Sequence, residues 1–81
     1  MAKIEVKLFG VLRIDSKIAK TGIDAKTVAE VFPKISELIE GDMTVEFGQA
    51  LVYINGERCK SKGAKLNDGD EVWLLSPASG G

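Results

Sequence analysis

The stretch Leu66-Asn67-Asp68-Gly69-Asp70-Glu71-Val72-Trp73-Leu74-Leu75-Ser76-Pro77-Ala78-Ser79-Gly80-Gly81 decides how the rest of the chain is assembled. Leu66 to Asp70 has the composition of a tight turn, in which Gly69 supplies a positive φ and the aspartates bond nearby backbone N–H groups. Glu71 to Leu75 is short, apolar and rich in strand formers, and reads as the closing strand of a sheet. Ser76 to Gly81 is small and polar and reads as a flexible tail, which leaves residues 1–75 as one domain. A Gly-Gly end behind a strand has a particular physical use. Lacking Cβ atoms, it follows a narrow channel and presents a bare carboxylate to the active site of another protein. Nine glycines among 81 residues also make a chance pair unsurprising, so the remaining chain has to decide.

Upstream, Lys3 to Phe9 alternates, with Ile4, Val6 and Leu8 on one face and Glu5, Lys7 and Phe9 on the other, which predicts a strand. Gly10 to Asp15 reads as a loop or short turn, and Lys17 to Ile23 as a second strand, so that the two strands form an N-terminal hairpin. Thr27 and Glu30 have the spacing of a capping box. Val28, Val31, Phe32, Ile35, Leu38 and Ile39 then form one stripe of helical period. Pro33 interrupts that stripe, which leaves two possibilities: a kinked helix from Thr27 to Glu40, favoured by the unbroken phase, or a helix that starts near Pro33. Gly41 is the expected left-handed cap in either case. Leu51 to Ile54 reads as a strand, Asn55-Gly56 as a hairpin turn, and Arg58-Cys59 as a short returning strand. Strand, strand, helix, strand, short strand and strand in so short a chain predict an α+β domain, a mixed sheet packed on one main helix in the β-grasp arrangement.

Composition narrows the function classes. The net charge is −1, with 11 basic and 12 acidic residues interspersed, which points to neither a nucleic-acid nor a membrane partner. No histidine is present, which removes His-based nucleophilic and metal chemistry. The single Cys59 has no internal partner and reads as a partly buried filler; together with the strand that starts right behind Met1, it gives the expectation of a cytoplasmic protein. A solvated loop is the default for Lys60, Lys62 and Lys65.

In this order and spacing, Lys7-Leu8-Phe9-Gly10-Val11-Leu12-Arg13, Thr27-Val28-Ala29-Glu30-Val31, Val52-Tyr53-Ile54-Asn55-Gly56-Glu57, Leu66 to Val72 and the Ser76 to Gly81 tail resemble the ubiquitin-like sulfur carriers. Within that family the likeness is greater to the molybdopterin synthase small subunits than to the thiamine-synthesis carriers. The chain departs from that branch at Ile14, Pro33 and Ser76.

The resemblance implies a carrier rather than an enzyme, with no bound cofactor. A partner adenylating enzyme uses ATP to activate the Gly81 carboxylate, and sulfur transfer makes a terminal thiocarboxylate. That group donates sulfur while the tail sits in the large catalytic subunit of molybdopterin synthase. Gly80, Ser79, Ala78 and Pro77 are the expected threading segment, with a reach of at most about 3.3–3.6 Å per residue. The docking face follows from alternation: if Ile4, Val6, Leu8, Val52, Ile54, Val72 and Leu74 face the helix, then Phe9, Leu51, Tyr53, Trp73 and Leu75 face away from it. Such a patch beside a reactive tail reads as a protein interface unless residues 10–16 and 42–49 cover it. Other pathways for the sulfur, a ubiquitin-like modifier joined to lysines through Gly81, and a plain interaction domain stay open.

Overall fold

The computed structural model describes residues 2–39 and 45–76. Strand β1 (Lys3–Phe9) leads into a short helix α1 (Gly10–Ser16) and strand β2 (Lys20–Asp24). Helix α2 (Val28–Leu38) follows, then a 3-10 turn at Phe47–Gln49 and strands β3 (Leu51–Ile54), β4 (Glu57–Cys59) and β5 (Glu71–Leu75). The 5-stranded sheet has the order β2-β1-β5-β3-β4. β1 and β5 run parallel at its centre, and every other pair is antiparallel. This is the expected mixed sheet over one main helix.

One face of the sheet carries Ile4, Val6, Leu8, Val52, Val72 and Leu74, all buried with Val28, Val31, Phe32 and Ile35 of α2. Alternation of period 2 meets a stripe of period 3.6, and this match fixes the helix against the sheet. Leu66, Ala25 and Val45 complete the core from the connections.

Several local expectations give way to tertiary contacts. Residues 10–16 form a helix rather than a turn. Lys17 closes it at φ 62°, its amide donating to the Arg13 carbonyl at 3.0 Å, so β2 begins at Lys20 instead of Lys17. Helix α2 runs through Pro33, which selects the continuous alternative, yet it ends at Leu38 with Ile39 in extended backbone. The cap therefore falls before Gly41, and Glu40 and Gly41 lie outside the described residues. Leu38, part of the expected stripe, is 49% exposed, whereas Ile39 is buried.

The capping box is replaced as well. Thr27 makes no side-chain cap bond, and the Glu30 carboxylate accepts the Lys26 amide at 3.2 Å. The Val28 and Ala29 amides instead donate to the Ala64 and Lys62 carbonyls at 3.0 and 2.7 Å. The loop after β4 thus satisfies the start of the helix.

The hairpin and closing turns lock together. Asn55 and Gly56 both take positive φ, 51° and 88°, as their turn requires. The Asn55 side chain donates to the Asp70 carboxylate at 3.0 Å and accepts the Glu71 amide at 2.9 Å. Gly69 has the expected positive φ of 88°, and Asp68 and Asp70 accept the Lys3 and Asn67 amides.

Candidate functional site: an aromatic sheet face at the base of the tail

The inward alternation of the central strands leaves Phe9, Leu51, Tyr53, Trp73 and Leu75 on the opposite face. Register brings them together: Tyr53 pairs with Trp73, and Leu75 pairs with Leu51 on one side and Phe9 on the other. The Phe9 and Trp73 rings meet edge to face at 5.8 Å, and Tyr53 lies 6.3 Å from Trp73 at a 40° tilt. Such ring pairs contribute about 0.5–1.5 kcal/mol each beyond area burial. The Arg58 guanidinium sits 6.0 Å from the Tyr53 ring centroid.

Phe9 is 38% exposed, and the other four side chains are half-buried. Part of the cover on Trp73 comes from Phe9 and Tyr53 themselves. Of the segments expected as alternative cover, α1 enters the core through Leu12 and residues 45–47 turn toward α2, while residues 42–44 lie outside the described residues. There Phe47 packs edge to face on Phe32 at 5.8 Å, and the Ser36 hydroxyl bonds the Val45 amide at 2.9 Å.

Further charged residues border the patch. The Trp73 indole N–H donates to Glu71 Oε1, and the Lys7 ammonium lies 3.4 Å from Glu71 Oε2 and 4.0 Å from Glu5 Oε1. The indole bond first, and the Lys7 charge with it, hold the Glu71 carboxyl below the ordinary glutamate range against the opposing effect of burial. Glu71 was readable as a neighbour of Trp73, because residues of one strand spaced by two share a face. Lys7 was not, since its place beside Trp73 depends on the parallel register of β1 and β5.

The tail leaves from this patch. Leu75 pairs with Phe9, and the next residues, Ser76 and Gly10, lie side by side. Gly10 has φ +64°, and a Cβ built there would come 2.6 Å from Ser76 Oγ. Backbone angle and close approach both favour glycine at this point. Pro77, Ala78, Ser79, Gly80 and Gly81, the expected threading and reacting residues, lie outside the described residues.

Cys59 is half-buried against the core, and its thiol donates to the Ser61 carbonyl at 3.2 Å. Among the described residues no group of three metal-ligating side chains converges, and no helix is long and apolar enough to cross a membrane.

Residues 6–81 match the ThiS family. The chain belongs to the ThiS family. As a ThiS-family member it falls among the ubiquitin-like sulfur carriers, as the motifs led one to expect. Its fold is shared with small archaeal modifier protein 1 of Methanosarcina acetivorans, at a TM-score of 0.81 and 24% identity over 100% of this chain and 98% of that one. The same modifier from Haloferax volcanii gives a TM-score of 0.72 and 27% identity over 99% and 100% of the two chains. A chain from the complex of subunits 1 and 2 of molybdopterin-converting factor of Helicobacter pylori gives 0.69 and 28% over 98% and 99%. No curated protein sequence matches significantly.

Proposed function

We propose that this ThiS-family chain is a sulfur carrier, not itself an enzyme, that delivers sulfur from a thiocarboxylate on Gly81. The observation that carries this reading is the aromatic patch at the point where the Gly-Gly tail leaves the sheet. A carboxylate is a poor electrophile until one oxygen becomes a leaving group, so an adenylating partner must first transfer AMP from ATP to Gly81 and release pyrophosphate. Attack of a hydrosulfide-level sulfur on the acyl carbon expels AMP, and loss of the remaining proton leaves –COS⁻, a soft nucleophile on a thin peptide. The patch holds the domain on the partner while the tail enters its active site, so the reacting atom is already positioned.

Molybdopterin synthesis is the proposed destination, with a large catalytic subunit as the second partner. The likeness to the Helicobacter pylori complex supports it. The alternative, conjugation to lysines through the same activated glycine, is supported by the comparable likeness to the Haloferax volcanii modifier.

Deleting Gly81 tests the reading. ATP–pyrophosphate exchange with the adenylating enzyme should vanish while thermal stability is unchanged, because a terminal residue contributes little packing. Undiminished exchange would refute a carrier tail.

A further inference from the structure

The chain has one tryptophan, Trp73, at the centre of the patch. Its contacts with Phe9 and Tyr53 are made by ring faces and edges, and limit how far the indole tilts. They do little to choose between the two orientations related by a flip about the bond joining the ring to Cβ, because both offer similar apolar surface. The N–H edge distinguishes the two. It donates to Glu71 Oε1, and the other carboxylate oxygen is tethered by Lys7 at 3.4 Å. Lys7 in turn is the register partner of Trp73 across β1 and β5. Carboxylate, ammonium and indole thus close a loop across the two central strands.

We propose that Glu71 is a positioning residue that fixes the Trp73 indole in one orientation before a partner docks. The inference rests on the reading of the patch as a docking face. A side chain ordered in the free protein loses less freedom on association, so partner binding strengthens with no new contact. Glu71 acts through the indole alone, and Lys7 holds the carboxylate where the indole can reach it.

The test uses the full chain labelled with 15N, whose single indole N–H gives one resonance, and the adenylating enzyme in ATP–pyrophosphate exchange. Glu71→Ala should shift that resonance, speed its exchange with water, and raise KM for the carrier roughly three- to tenfold with kcat unchanged. Glu71→Gln keeps an oxygen acceptor but loses the charge that Lys7 holds, and should move both the resonance and KM less than Glu71→Ala does. In a Trp73→Phe background, which lacks the N–H donor, Glu71→Ala should have no further effect on KM.

A freed indole with unchanged KM in Glu71→Ala would overturn the proposal, as would a Glu71→Gln variant as impaired as Glu71→Ala. If Glu71→Ala does not fold, Glu71→Met keeps the aliphatic length without an acceptor and carries the same expectations. Trp73→Ala separates the two levels. Raised KM in Trp73→Ala but not in Glu71→Ala defeats the positioning role alone. Unchanged KM in both defeats the docking reading and the inference with it.

Discussion

Asn55 holds φ 51° in the β3–β4 turn while its amide group links that turn to Asp70 and Glu71. Asn55→Ala removes both side-chain bonds and leaves a Cβ residue in the left-handed region without local hydrogen bonding. It should destabilise the fold by about 1–3 kcal/mol in urea unfolding; an unchanged midpoint would show that the link between the turns carries no stability. Asn55-Gly56 was legible as a turn because its chemistry is local. The reach of Asn55 to Asp70 was not, because it spans the sheet. Glu71 gives a pH prediction at the same scale. Its folded pKa is depressed, so its contribution is complete above the unfolded value of about 4.3 and is lost as pH falls through the lower folded value. Wild type should therefore exceed Glu71→Gln in stability near neutral pH, and the gap should close only below about pH 4. A gap that persists into stronger acid would contradict the ionised carboxylate as its source.

Helix α2 shows what a local pattern can and cannot report. The stripe at Val28, Val31, Phe32 and Ile35 marked the helix and its buried face, and its unbroken phase outweighed Pro33. Pro33 is exposed, so its ring projects away from the core and the lost amide bond falls on the solvent side. Pro33→Ala should consequently raise stability, by up to about 3 kcal/mol, with the gain read from thermal unfolding. A loss would mean that the proline ring is needed where it stands. The start of α2 at Thr27 was legible, but the bonds that satisfy it were not, because its partners are carbonyls of residues 62–64, far along the chain. Helix α1 was missed for another reason. At 7 residues, with Gly10 first at φ +64°, it is too short to display a periodic stripe. Leu12 carries the helix into the core.

Across the whole molecule, the alternation of β1, β3 and β5 made both sheet faces legible, including the aromatic patch. What alternation leaves open is which strands are neighbours. The parallel pairing of β1 with β5 places Phe9 beside Leu75, Lys7 beside Trp73 and the base of the tail beside Gly10. Patch and tail exit therefore occupy one region, which is the arrangement the proposed carrier role needs. The Gly-Gly motif is visible in the order of the last residues, whereas its use is a matter of chemistry at a single atom. Intact-mass measurement of the protein from its native cell tests that use most directly. A carrier cycles between –COOH and –COSH, so a fraction should be heavier by the difference between sulfur and oxygen, with the increment confined to the C-terminal peptide and removed by hydrolysis. A population without that species, accompanied by lysines bearing a Gly81 isopeptide remnant, would contradict the carrier account and establish the modifier in its place.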